Sequence, residues 1–250
     1  MPRLRLLTHS LPDDPVLDTA VSRALMLRVA AGEEPETLRI ARPGSIVAFG
    51  KRDVVSDGYA AAVRGARAHG FEAIERLAGG RAAVFHHDTI SFAHAVRAPD
   101  PRAGVTARFE AAAGLVAAAL GRFSIDARVG EVAGEYCPGA HSVNAGGARK
   151  LMGVGQRLVA GGVHLGGVIV VEGAERVRDV LVDVYEALGL DWRPETAGSV
   201  AEEAPGTSWD DVVEALLDQY AKRYELEPVE LGSETLELAR RLAPEHLSPR

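Results

Sequence analysis

Arg76-Leu77-Ala78-Gly79-Gly80-Arg81-Ala82-Ala83-Val84-Phe85-His86-His87 sets a pair of glycines between two apolar runs. Phe71 to Leu77 and Ala82 to Val96 read as strands on either side of that pair. Paired glycines between strands let the backbone approach a ligand closely and leave N–H groups free for an anion or a carbonyl. The same pair also serves as a plain structural turn, and the stretch alone leaves both readings open.

Outward from this stretch the pattern alternates. Asp14-Pro15 predicts a helix start, because the carboxylate can cap free N–H groups and proline suits the first helical position. Val16, Leu17, Ala20, Val21, Ala24 and Leu25 then keep helical spacing to about Ala31. Thr37 to Ala41 and Ser45 to Phe49 read as short strands around the Arg42-Pro43-Gly44 turn, and Gly58 to His69 as an alanine-rich helix. Gly104 to Leu120 predicts a helix, Ser124 to Val129 a strand, Val163 to Val171 a nearly continuous apolar strand, and Ala174 to Leu188 a helix. Neighbouring strands that look like hairpins favour an α+β fold over a doubly wound parallel sheet. Asp191 to Thr207, with two prolines, two glycines and an acidic run, reads as a linker. Ser208-Trp209-Asp210-Asp211 resembles a capping box opening a helix to about Tyr224, and a last helix covers Ser233 to Leu242. The expected organisation is a catalytic domain over 1–190, a linker over 191–207 and a short helical appendage over 208–250.

The 250 residues are 47% hydrophobic and 25% charged, ordinary for a globular chain with a full core. A net charge of −7 gives no general reason to bind nucleic acid or an anionic membrane. The longest apolar stretch, Ala111 to Leu120, is about half of the ~20 residues a spanning helix needs. No signal-peptide pattern is seen, so a cytoplasmic protein is expected. One cysteine, Cys137, excludes an internal disulfide framework and a multi-cysteine zinc site.

Two further stretches carry chemistry. Glu135-Tyr136-Cys137-Pro138-Gly139-Ala140-His141-Ser142 puts the lone thiol in a turn among polar residues. Such a cysteine is either a small buried hydrophobe or, with a cation beside it, a nucleophile. Thirteen positions on, Arg149-Lys150-Leu151-Met152-Gly153-Val154-Gly155-Gln156 offers a lysine able to polarise a carbonyl or neutralise a phosphate; a solvated basic loop is the alternative. His164, ahead of the apolar strand, reads by itself as a structural histidine.

Taken together, these stretches resemble the biotin/lipoate protein ligase superfamily, from roughly the first helix to Leu188. Arg76, Ala78, Gly79 and Gly80 match its Arg-x-(Ser/Ala)-Gly-Gly segment, the floor of the acyl pocket. Lys150, Gly153, Gly155 and Gln156 match the segment whose lysine touches the acyl carbonyl, and Ser45 to Gly50 is similar to its early strand ending in glycine. Tyr136-Cys137-Pro138-Gly139 resembles the loop of its cysteine-dependent octanoyl/lipoyl transferases. Three departures stand out: Arg81 replaces a third glycine, His86-His87-Asp88 stands for a single histidine, and Ala145 to Ala148 lengthens the spacing to the lysine.

The resemblance implies a mixed, mostly antiparallel sheet flanked by helices, with a small helical C-terminal tail. It implies transfer of an octanoyl or lipoyl group through a Cys137 thioester, with Lys150 catalytic and Arg76, Gly79, Gly80, His86, Gly153, Gln156 and His164 binding substrate. The implied partners are lipoyl-carrier domains (glycine cleavage H protein and 2-oxoacid dehydrogenase acyltransferase subunits) and acyl carrier protein. No metal and no tightly bound cofactor are expected. The alternatives are an ATP- and Mg-using lipoate-protein ligase working through an adenylate, and a non-catalytic binder of lipoyl- or biotin-like ligands.

Overall fold

A computed structural model describes residues 1–249. In chain order the elements are β1 (Arg3–Leu7), α1 (Pro15–Ala31), β2 (Thr37–Ala41), β3 (Ile46–Phe49), α2 (Lys51–Val54), α3 (Tyr59–Ala68), β4 (Glu72–Glu75), β5 (Ala83–Phe85), β6 (Thr89–Arg97), α4 (Val105–Leu120), β7 (Ala127–Val129), β8 (Val143–Ala145), β9 (Arg149–Val159), β10 (Gly162–Val170), α5 (Ala174–Ala187), α6 (Val200–Glu203), α7 (Trp209–Ala221), β11 (Glu225–Val229) and α8 (Ser233–Leu242). Local chemistry sets the expected ends. The Asp14 carboxylate accepts the Leu17 N–H at 3.0 Å, and Gly32 turns the chain out of α1 at φ +76°. Ser208 and Asp211 form the capping box that opens α7.

Eight strands make the main sheet in the order β11-β1-β2-β6-β10-β9-β8-β7, and β4-β3-β5 make a second, smaller one. Pairing is antiparallel except at β11–β1, β1–β2 and β3–β4. The mixed, mostly antiparallel α+β architecture is therefore present. Side-chain alternation gives the main sheet two faces. Leu38, Ile40, Ile90, Phe92, Met152 and Ile169 belong to a core with Ala113, Val116 and Leu120 of α4 and Val212 and Leu216 of α7. A second core joins the smaller sheet to α3 and α5 through Val47, Phe49, Val63, Val180 and Val184.

Two expectations change here. The stretch read as a linker is packed into the fold: Thr196, Ala197, Ser199 and Val200 are buried, and the Gly198 N–H donates to the Lys150 carbonyl. The C-terminal residues are also more than a helical appendage. β11 pairs in parallel with β1 at the edge of the main sheet, and α8 contributes Leu238, Ala239 and Leu242 to a core with α1. Proline and glycine content pointed to a linker, but burial of the few apolar residues between them decided the outcome. Among the described residues, no helix is long and apolar enough to cross a membrane.

Candidate active site

Strand register lays down the floor of a cavity. Arg39, Ala93, Gly166 and Gly155 stand opposite one another across β2, β6, β10 and β9, with Ala41, Ser91, Val168 and Gly153 in the next row on the same face. Small side chains over β6, β10 and β9 leave the sheet surface bare. The space above it is a cavity of about 410 Å³. Ile46, Ala48, Ile74 and Phe85, from the smaller sheet, line its wall. At the β2 end Arg39 is tied to Asp18 of α1, with Nη2 and Oδ1 2.5 Å apart and both side chains buried. Three strand spacings separate that end from β9, roughly 14 Å.

The nucleophile candidate sits in the wall, on the loop between β7 and β8. Cys137 adopts φ +42°, a left-handed conformation that is uncommon for a residue with a Cβ. Its main chain is held on both sides. The N–H donates to the Tyr185 hydroxyl at 2.8 Å, which donates in turn to the Ala82 carbonyl at 3.0 Å. The Cys137 carbonyl accepts from Lys150 Nζ at 2.8 Å.

Two donors address the sulfur: Arg76 Nη2 at 3.3 Å and the main-chain N–H of Arg81 at 3.2 Å. Burial by itself would raise the thiol, but the charges of Arg76 and Lys150 and these two donors outweigh it and hold Cys137 below its ordinary value. Gly80 makes the approach possible. Its φ is +103°, and a Cβ there would stand 2.3 Å from Arg76 Nη2 and 2.8 Å from the sulfur.

Lys150 lies on β9 and not in the solvated basic loop that was the alternative reading of this stretch. The ammonium is buried and donates to Glu135 Oε1 at 3.0 Å, to the Tyr136 carbonyl at 3.0 Å and to the Cys137 carbonyl at 2.8 Å. Glu135 is the hub of the loop. It also accepts the Ser142 hydroxyl at 2.7 Å, the Gly139 N–H at 3.1 Å and the Val132 N–H at 3.1 Å.

Of the residues picked from sequence, Arg76, Gly79, Gly80, Cys137, Lys150, Gly153, Gln156 and His164 all line this one cavity. His86 does not. It is buried in the turn between β5 and β6, where its Nδ1 accepts the Asp88 N–H at 3.3 Å. Burial first, then the Arg176 charge, pushes His86 down to about 4. His86, His87 and Asp88 converge in a way that could suit a metal, with their ligand atoms within 4.8 Å of one another. However, Arg176 already supplies a cation there, 3.2 Å from His87 Nδ1. The Gln156 amide bridges Arg108 Nε and the Val105 carbonyl at 2.9 and 2.8 Å, fastening the start of α4 to the sheet. His164 lies on β10 two residues before Gly166, on the same face of the sheet. Burial, then the Arg39 charge, lowers it to about 4, and its buried Nδ1 has no partner among the described residues.

Sequence reading missed three supports of the site. Tyr185 looked like one more member of an apolar helical stripe. Asp53 is fully buried and binds both the Gly50 N–H (3.0 Å) and the Arg81 guanidinium (3.1 Å); its place three residues after Gly50 was the available signal. The third is the Arg81 main-chain N–H, which every non-proline residue has and which no sequence pattern marks.

Residues 14–221 match the model of the lipoyl protein ligase A/B catalytic domain. An octanoyl-[GcvH]:protein N-octanoyltransferase of Geobacillus kaustophilus is 28% identical over 170 residues, 68% of this chain and 60% of the relative. One of Bacillus velezensis is 26% identical over 190 residues, 75% of this chain and 66% of the relative. The chain thus matches less than two thirds of either relative's length. Among solved structures, lipoate-protein ligase A bound with ATP superposes with a TM-score of 0.79 at 19% identity, covering 98% of this chain and 95% of that one. The bi-partite lipoate protein ligase of Thermoplasma acidophilum gives 0.79 at 19% identity, covering 98% and 93%. At such identities the likeness speaks for the fold. The extent of the family match, from the cap of α1 to the end of α7, shows that this chain belongs to the lipoyl protein ligase A/B catalytic domain family.

Proposed function

We propose that this chain is a cysteine-dependent acyltransferase that moves an octanoyl or lipoyl group, through a thioester on Cys137, onto a lysine of a lipoyl-carrier domain. The observation that carries the reading is the Cys137 sulfur in the cavity wall, with a guanidinium and a main-chain N–H both directed at it. The names of the curated relatives support the same chemistry and point to octanoyl-GcvH as the donor. Further lipoyl domains, such as those of 2-oxoacid dehydrogenase acyltransferase subunits, are the proposed acceptors.

The reaction takes two steps. The thiolate attacks the acyl carbonyl carbon, and the carbonyl π electrons move to oxygen. Collapse of this tetrahedral oxyanion breaks the bond to the donor's lysine nitrogen, which leaves as an amine after taking up one proton. The acceptor's neutral lysine amine then attacks the thioester carbon. The sulfur leaves as thiolate and the new amide nitrogen gives up one proton, so the proton taken up first is returned. No nucleotide is consumed and no tightly bound cofactor is needed. A free reactive thiol also fits a cytoplasmic location, where cysteines stay reduced.

Lipoate-protein ligase is the second reading, favoured by the fold shared with the ATP-bound ligase. Incubation with octanoyl-GcvH, with no acceptor present, separates the two. A transferase gains one octanoyl group by intact mass, released by hydroxylamine and absent from Cys137→Ala. A ligase instead turns over free lipoate with ATP and Mg, releases pyrophosphate and tolerates Cys137→Ala. That outcome would overturn the transferase reading.

A further inference from the structure

We propose that the cations beside the glycine loop, Lys51, Arg52 and Arg81, form the docking rim for the carrier, and that they select a lysine flanked by carboxylates. This rests on the transferase reading and names the surface chemistry that its protein partner must bring. α2 starts at the rim of the cavity. A Cβ on Gly50 would collide with the Gly80 carbonyl, so the chain enters the helix in backbone contact with the glycine loop. One arginine spans the distance from this helix to the nucleophile. The Arg81 main-chain N–H donates to the Cys137 sulfur at 3.2 Å, while its guanidinium donates to the Arg52 carbonyl at 3.2 Å.

Charge at this rim is unbalanced. Lys51 and Arg52 are exposed, and among the described residues no carboxylate stands within ion-pair distance of either. The carboxylate of α2, Asp53, is fully buried and is taken by Arg81 at 3.1 Å. Asp57, the next acid in sequence, comes three residues after the helix ends. Arg76, half-buried before the same loop, adds a further cation at the sulfur. Over the whole chain the balance runs the other way, to a net −7. An acidic partner is therefore repelled by the overall charge and attracted at this rim, which orients it as well as holding it.

The mouth itself is low. Gly79, Gly80, Pro138 and Ala140 are all exposed, and none has a bulky side chain. A lysyl arm is only four carbons long, so the carrier's backbone must come down to this rim for the amine to reach the thioester. The arriving amine is protonated in solution and faces the charges of Lys51, Arg52, Arg81 and Arg76. A lysine standing alone on a neutral surface is repelled there. A lysine set between carboxylates is drawn in, because its neighbours pair with the rim. Repulsion of like charges thus rejects the wrong lysines while attraction places the right one. Donor and acceptor carriers present their lysines to one mouth, so the same pairing serves both half-reactions.

The test pairs two measurements on the full chain: calorimetric titration with unacylated GcvH, and loading of Cys137 from the uncharged thioester S-octanoyl-N-acetylcysteamine, read by intact mass. Lys51→Glu/Arg52→Glu is expected to weaken GcvH binding on the order of tenfold and to flatten its dependence on salt. Loading from the small thioester should keep its wild-type rate. Should the charge reversal fail to give a cooperative unfolding transition, Lys51→Gln/Arg52→Gln takes its place, with a smaller loss of affinity and the same loading rate. Wild-type affinity in the folded variant would overturn the proposal, as would wild-type binding that is absent or that salt does not weaken. So would undiminished binding of a GcvH whose carboxylates nearest the modified lysine are changed to amides. Slower loading from the thioester would assign these cations to the acyl pocket and overturn the docking role. Calorimetry needs no acyl group, so salt-sensitive GcvH binding by a chain that takes no octanoyl from the thioester would refute the transferase reading and leave the docking rim standing.

Discussion

Tyr185 reaches from the last turn of α5 to the backbone of the nucleophile, and its hydroxyl joins the Cys137 N–H to the Ala82 carbonyl. Tyr185→Phe strips both groups of their partner beside a buried ring. A loss of about 1–3 kcal/mol in unfolding free energy is expected, together with slower transfer as the left-handed loop loosens. Denaturant titration and a transfer assay check this, and unchanged values in both would refute the role given to the hydroxyl. Glu135→Gln should be harsher, about 3–5 kcal/mol, because it leaves the Lys150 ammonium buried without its counter-charge. A variant as stable as the parent would count against that pairing. At this scale the sequence was legible where residue chemistry is rare. A lone cysteine beside Pro-Gly and an arginine three residues before a glycine pair both proved to line the cavity. It was illegible where chemistry is borrowed from ordinary residues: a tyrosine in an apolar stripe and a main-chain N–H carry no mark.

β9 shows how an element can hide. Arg149 and Lys150 begin it, Gly153 and Gly155 interrupt it, and Gln156 and Arg157 extend it, so neither period-2 alternation nor β-branched enrichment appears. The glycines that erased the strand signal are the residues that keep the cavity floor bare. Gly155 faces the glycine segment directly, and a Cβ there would stand 2.8 Å from the Ala78 Cβ and 3.6 Å from the Gly79 carbonyl. Gly155→Ala is therefore expected to push residues 78–80 away from the sheet, widen the cavity mouth and raise the KM for the acyl donor several-fold. A normal KM would show that the segment yields without consequence. The longer helices, by contrast, were plain from their periodicity, and α8 falls over the expected residues, Ser233–Leu242, whereas the four-residue α2 and α6 went unread. β1 and β11 escaped notice because strands of only five residues have little room for a pattern.

Across the whole molecule, three buried histidines in different places share one electrostatic condition. His86, His94 and His164 are each lowered to about 4, in every case first by burial. Their unfolded values lie near 6.5, so between about pH 6.5 and 4 the unfolded chain binds more protons than the folded one. Stability is fully present above that window and is lost as pH falls through it, by roughly 2–3 kcal/mol for each histidine. Thermal unfolding followed from pH 7 down to pH 4 should give a steadily falling Tm, and a flat profile would contradict the neutral burial of these rings. The general architecture was readable from the alternation of helices and hairpin-like strands, but the closure of the chain upon itself was not. β1 and β11 pair residue for residue, Arg3 with Glu225 through Leu7 with Val229. That pairing sets a clock on biosynthesis. Ribosomes add about 5–20 residues per second, so the first strand waits on the order of 10–45 s for its neighbour to be made. Throughout that interval the outer edge of β1 is an unpaired row of N–H and C=O groups, open to any other extended chain in the crowded space around the ribosome.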